Sequence, residues 1–410
     1  MKHKGSDKKG SDADAVEALK IEDELPEFRR KREARRKKRI RSKRTVIALV
    51  IIALVTAFIA INWDKLAPTS LANTIQGFFG EFGSGQYPLM ISSGNFRQAV
   101  PIGSNIGVLT DTSVIIYSRS GAELAQRPHG MSDPNIDAAG GKAVVFDRGG
   151  KTFRVETRFY EPFTATTDYP IVSASVSLSG EIAVATLSGS YLGELTIYDN
   201  SNKNIFKWYS SQGHILAAAV SPDGKKVAAV VLSAVNGNYR SSIYIFNTGN
   251  REPISVTNID GALLFSIQYI DNDRIAAVGD IESVFLSLDG KKKSVYTYEG
   301  KKLKCYANSD GATVLAFGAY GAGNSSAVVS LSGAGKVMGT ANLKNDVQSV
   351  FACGGKLAAL TDEGVWYGDT ACKNTGLIAA SGDKIAALPL KGDIYVFGLQ
   401  AIYQYKIKSQ

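Results

Sequence analysis

Residues 215–232 read ILAAAVSPDGKKVAAVVL, and SSIYIFN follows at 241–247. A small-residue strand from Ile215 meets a turn at Ser221-Pro222-Asp223-Gly224. A second strand of Ala and Val comes next, then a β-branched and aromatic one. Pro and Gly punctuate such turns because one presets φ and the other accepts positive φ. The same unit recurs as VSASVSLSGEIAVATL from Val172, SIQYIDNDRIAAVGD from Ser266, VQSVFACGGKLAALTD from Val347 and LIAASGDKIAALPL from Leu377. Weaker copies begin near Arg97, Asn135 and Leu303. Third strands such as SVIIYS, ELTIYD, ESVFLSL, SAVVSL, GVWYGD and DIYVFG accompany them, and a Gly or Asn turn often leads to a fourth.

Starts near 97, 135, 172, 215, 263, 303, 347 and 377 are spaced like four-stranded propeller blades of about 40 residues. A lone sheet cannot bury both faces, whereas radial stacking buries both and leaves short edges. Strands near the axis are crowded, so Ala217-Ala218-Ala219 suits an inner position and Tyr, Phe and Ile suit outer ones. The expected fold is all-β: a β-propeller of eight blades in preference to seven, with an array of β-sandwiches as the alternative. Closing the ring needs a clasp, and Tyr87 to Ile91 is expected to supply the outer strand of the blade ending AIYQYKI.

The formal charge of +9 suggests nucleic acid until it is divided along the chain. Residues 29–44 carry Arg29, Arg30, Lys31, Arg32, Arg35, Arg36, Lys37, Lys38, Arg39, Arg41, Lys43 and Arg44 against Glu33 alone, about +11 by simple count. Residues 1–28 come to about −3 and the rest lies near neutral. The basic cluster directly precedes TVIALVIIALVTAFIAINW, Thr45 to Trp63, which contains no charge. As a helix this stretch spans roughly 28 Å, the thickness of a hydrocarbon core. Basic flank inside and Trp63 at the far boundary set the orientation. The expected organisation is a cytoplasmic tail at 1–44, a single transmembrane helix at 45–63, a neck at 64–86 and an extracellular propeller at 87–410. The basic cluster then serves as topology signal and anionic-lipid clamp, and no nucleic-acid partner is implied. A signal peptide cleaved near Ala57 is the competing reading, opposed by the long preceding segment. In the neck, Leu71, Ile75, Phe78, Phe79 and Phe82 share one helical face, suited either to the bilayer interface or to packing beneath the β-domain.

SPDGKKVA at 221–228 resembles the strand-turn-strand of WD-repeat-like and TolB-type propellers, and the SLDGK and SLSGAGK turns resemble those of quinoprotein-type propellers. The basic tail and span, YPLMISSG, LTDTSVIIYSRSG, VVFDRGGKTFRV and DIYVFGLQAIYQYKIK together are similar to an uncharacterised Gram-positive (clostridial) family of membrane-anchored propellers, a domain of unknown function. That resemblance implies fold and anchoring and carries no activity.

Chemistry is sparse. No GxSxG, HExxH, P-loop or EF-hand pattern occurs, and Asp271-Asn272-Asp273 reads as a turn instead of a calcium loop. Cys305, Cys353 and Cys372 form no CxxC pair, so neither a zinc site nor a disulfide framework is indicated; Cys353 and Cys372 can pair only if their strands are neighbours. No cofactor is expected. His129, His214 and Trp366 are the candidate ligand-binding residues. A structural histidine is the plainer reading of His214, and core packing that of Trp366 and Trp208. The function expected is binding or scaffolding of a protein, peptide or cell-wall ligand, with a hydrolase or lyase using channel carboxylates as the alternative.

Overall fold

The computed structural model describes residues 86–158, 163–291, 293–309, 311–318, 325–380 and 383–407. The basic cluster, the apolar segment 45–63 and the neck through 85 lie outside the described residues. Among the described residues no helix is long and apolar enough to cross a membrane.

Eight four-stranded antiparallel sheets follow one another along the chain. Their first strands are Phe96–Ile102, Pro134–Ala139, Ile171–Val176, His214–Val220, Leu264–Tyr269, Leu303–Ser309, Val347–Cys353 and Ala386–Leu390. Seven of these lie where the repeats place them. The eighth does not. Gly376–Ile378, within the LIAA expected to open blade 8, is instead the three-residue fourth strand of blade 7. Blade 8 begins at Ala386, and DIYVF at Asp393–Phe397 is its second strand, with Ala401–Lys406 third. SGD imitates a hairpin turn, but the turn that pairs the strands is Lys391-Gly392, where both residues take positive φ.

Burial explains the order within each blade. Second and third strands such as Asn105–Thr110 and Ser113–Tyr117 are buried along their whole length. Each is covered on both sheet faces by neighbouring blades, so its sequence reads as a continuous apolar run instead of an alternating one. Fourth strands such as Lys293–Thr297 alternate with solvent. The apolar core is divided into eight clusters, one between each pair of adjacent blades.

The free edges of the first strands face the axis, and unpaired backbone groups there need partners. Side chains of the preceding blade supply them. Gln98 Nε2 donates to Ile136 O at 2.9 Å, and Asp137 Oδ2 accepts from Val176 N–H at 2.9 Å. Ser175 Oγ donates to Ala218 O at 2.7 Å.

Both ends of the domain build blade 8. Leu89–Met90 pairs with Ala401–Lys406 as the outermost strand, as the clasp requires. Ile91 N–H donates to Gln400 O at 2.9 Å, and Phe96 stacks on Phe397 with centroids 4.9 Å apart.

Candidate functional site

An antiparallel blade has two kinds of end. One, the entry face, carries the turns between first and second and between third and fourth strands. The other, the crossover face, carries the turns between second and third strands and the links to the next blade.

On the crossover face, blade 3 presents a Gly/Ser-rich loop, Leu187 to Leu192, between Ile182–Thr186 and Gly193–Tyr198. Gly189 lets Tyr169 lie over the loop: a Cβ there would collide with Tyr169 Oη. Tyr191 stacks on Tyr209, from the fourth strand, with centroids 4.9 Å apart and planes 26° from parallel. Leu192 N–H donates to Ser210 O at 2.9 Å, which holds the loop against that strand. These are solvent-facing rings, Tyr191 being 47% and Tyr209 40% exposed.

Beside them, blade 4 extends outward. Its second and third strands, Lys226–Val235 and Asn238–Asn247, are ten residues each. Among the described residues no other blade has a second or third strand longer than seven. The turn Asn236-Gly237 takes φ of 51° and 81°, the conformation that two-residue hairpins favour and that Asn-Gly adopts readily. About four residues project on each arm, roughly 13 Å at strand rise. Tyr239 near the tip is 60% exposed. Arg240 Nε donates to Asp260 Oδ1 at 2.6 Å and braces the projection on the fourth strand; that hydrogen bond holds the Asp260 carboxyl below the usual range.

The three residues singled out from sequence lie in different blades, and no contact joins them. His129, after blade 1, is a loop clamp. Its Nδ1 accepts from Met131 N–H at 3.0 Å, so Nε2 is assigned the proton it donates to Thr110 O at 3.1 Å. His214 stands exposed at the start of blade 4, its Nδ1 3.0 Å from Leu192 O beneath the tyrosine loop. Trp366 is buried between blades 6 and 7, and Trp208 packs on Tyr244 and Phe246. Sequence reading missed Tyr169, Tyr191, Tyr209 and Tyr239. The Asn-Gly turn was a visible signal for the last of these, while the stacked pair depends on strand register.

The channel offers little acid–base chemistry. Among the described residues of the first strands Asp137 is the sole carboxylate. Burial pushes its carboxyl up from the ordinary range, against the backbone N–H groups of Val176 and Ala138 that favour the charged form. Asp271 accepts from Asp273 N–H at 2.9 Å and from Arg274, as a turn does. No cluster of metal-ligating side chains occurs among the described residues. Cys353 lies on the first strand and Cys372 in the third-to-fourth turn of blade 7, and no disulfide joins them or Cys305 among the described residues.

A cleft of about 480 Å³ opens on the entry face between the turns of blades 1–3, beside Asn105, Lys142, Arg158 and Asn200. Lys142 Nζ donates to Gly180 O at 2.9 Å, Asn200 O at 3.2 Å and Asn200 Oδ1 at 2.7 Å. All three of its protons are committed, and burial lowers its pKa. It joins turns and is not available to a ligand.

These features define an eight-bladed β-propeller with a tyrosine-bearing face. The chain belongs to the family of unknown function DUF5711, whose model matches residues 88–370. No curated protein matches it in sequence. Among solved structures it is similar to Saccharomyces cerevisiae Sqt1, at 10% identity and a TM-score of 0.55, covering 78% of this chain and 100% of that one. Chaetomium thermophilum Raptor matches at 8% identity and a TM-score of 0.50, over 67% of this chain and 28% of that one. BamB from Moraxella catarrhalis matches at 14% and 0.49, over 77% and 100%. At such identities the likeness is one of fold.

Proposed function

We propose that the protein is a membrane-tethered binding module that holds a protein partner outside the cell against the crossover face of its propeller. The observation that carries this is the exposed tyrosine surface of blade 3 beside the projecting hairpin of blade 4. Tyrosine supplies large, rigid contact area with a hydrogen-bonding tip and few torsions to immobilise, which is why it is enriched where proteins meet. The tether rests on the uncharged Thr45–Trp63 segment and its basic flank, by the reasoning that a span of that length and polarity crosses a bilayer with its cationic end inside.

A photo-activatable phenylalanine analogue placed at Tyr191 or Tyr239 in intact cells should cross-link a specific partner, and one at Leu178 on the opposite face should not. Recovery of no partner from either tyrosine, with turnover of a wall glycan by the purified protein, overturns the reading in favour of a hydrolase. Orientation is tested separately, with single cysteines at Ser11 and Ser70 and an impermeant thiol reagent. Labelling at Ser11 in intact cells reverses it.

A further inference from the structure

Both ends of the described chain emerge on the entry face. Tyr87 packs on Tyr395 with centroids 5.8 Å apart and donates through Oη to Arg119 O at 3.4 Å. Ile407 N–H donates to Gly392 O at 3.2 Å, and Lys406 pairs with Asp393 across the ladder. Arg119 lies in the third-to-fourth turn of blade 1 and Gly392 in the first-to-second turn of blade 8, both of the entry-face kind. Whatever precedes residue 86 therefore joins the propeller on this side.

The same face is the positive one. Lys203, Lys336, Lys373, Lys391 and Lys406 are exposed there, in turns or at the adjoining strand ends. None of the five forms an ion pair among the described residues, whereas several acidic groups among them are engaged, Asp271 by Arg274, Asp273 by Lys226 and Asp223 by Ser221 and Lys225, with Glu252 the exposed exception. Leu178, 67% exposed, tips the first-to-second turn of blade 3 on this face. The crossover face exposes Asp168, Asp280, Asp362 and Glu363, with Lys151, Lys302 and Lys344 interspersed. An otherwise near-neutral domain is thus electrically polarised along its axis, positive where the chain enters.

We propose that the entry face rests on the anionic headgroups of the membrane, with the lysine-bearing turns against lipid phosphate and the tyrosine-bearing face turned away. The proposal rests on the tether reading above. A tether that arrives at this face keeps these turns at high local concentration near the bilayer, and lysines within about 8 Å of an anionic surface are only partly screened from it. The arrangement also explains why the binding surface lies opposite the chain ends: only that face is then open to a partner.

The test uses the full chain with Cys305, Cys353 and Cys372 replaced by serine. A fluorophore is attached at Ser201→Cys on the entry face or Ser190→Cys on the crossover face, both in blade 3. The protein is reconstituted in vesicles of phosphatidylcholine with or without phosphatidylglycerol, carrying a headgroup energy acceptor. Transfer should be strong from position 201 and weak from 190 in phosphatidylglycerol, and the contrast should fade in phosphatidylcholine alone. It should also fade at about 0.5 M salt, where the screening length falls below roughly 5 Å. Replacing Lys203, Lys336, Lys373 and Lys391 by glutamate should abolish it, each lysine being worth about a fivefold change in surface partition. Equal transfer from both positions, or indifference to lipid charge, overturns the proposal. Flotation with phosphatidylcholine vesicles reads the tether independently. If the chain stays soluble, the tether reading fails, and the face is judged by its capture on phosphatidylglycerol vesicles, whose absence overturns the proposal. Binding of inorganic polyphosphate but not of phosphatidylglycerol overturns it in favour of a soluble polyanion.

Discussion

The Glu156 carboxylate, fully buried in blade 2, accepts from Arg127 Nη1 of blade 1 at 2.9 Å. Its other oxygen lies 2.5 Å from Arg154 Nε. Arg154 in turn donates through Nη1 to Pro128 O at 2.6 Å and through Nη2 to Arg127 O at 3.3 Å. The three side chains form an ionic clamp between two blades that also share an apolar cluster and the Gln98–Ile136 hydrogen bond.

Breaking that clamp from its centre should be costly. Glu156→Ala leaves the buried Arg154 guanidinium without a counter-charge, a change that typically costs about 3–5 kcal/mol. Glu156→Gln, which keeps the shape and one acceptor, should cost less. Equilibrium denaturation in urea reads both, and a loss below about 1 kcal/mol for the alanine variant would show that the clamp adds nothing.

Ring closure should be equally sensitive. Phe96 and Phe397 stack where the first and last blades meet, both buried in the cluster that Ile91 and Ile402 complete. Phe96→Ala or Phe397→Ala should each cost about 3–5 kcal/mol from lost burial and an unfilled cavity. The double variant should fall short of additivity by about 0.5–1.5 kcal/mol, the usual coupling of an aromatic pair. Additive losses would mean that the clasp does not act through this contact.

Most of the fold was legible because its signals are local. Ser221-Pro222-Asp223-Gly224 forces a hairpin wherever it sits, and the Ala-Val runs beside it mark a strand covered on both faces. The eighth blade misled because the sequence SGD has the turn chemistry of the other repeats, whereas Gly376–Ile378 and Ala386–Leu390 belong to different sheets. Only the pairing of Ala386–Leu390 with Asp393–Phe397 distinguishes the two. The tyrosine-bearing face was less legible. Tyr191 and Tyr209 are far apart in sequence and meet because Gly193 pairs with Ser210 across the third and fourth strands. Likewise the lysines of the entry face are scattered singly along the chain, and they become one surface only once each turn is assigned to an end of its blade.

The tyrosine surface should tolerate truncation without unfolding. Tyr191→Ala and Tyr209→Ala remove exposed rings whose stacking contributes little to the core, so each should shift stability by less than about 1 kcal/mol. If they anchor a partner, each should weaken its capture by about 2 kcal/mol or more, some thirtyfold. Pull-down of the cross-linked partner, measured alongside thermal unfolding, separates the two effects. Unchanged capture with unchanged stability would remove this surface from the binding site.

Asp137 should make stability depend on pH in the direction opposite to that of a salt-bridged carboxylate. Burial raises its folded pKa above the ordinary carboxylate value, so the folded state holds its proton more tightly than the unfolded state. The contribution is then fully present below the unfolded pKa of about 3.9 and is lost as pH rises through the folded value. Asp137→Asn keeps an oxygen for Val176 N–H, now at 2.9 Å from Oδ2, and has no charge to desolvate. Wild type and variant should therefore match near pH 3.5, and the variant should become progressively the more stable above it, reaching a constant advantage once Asp137 is ionised. Urea titrations from acid to neutral pH read the difference directly. A variant that is less stable than wild type at neutral pH would show that the charged carboxylate is favoured in the channel wall.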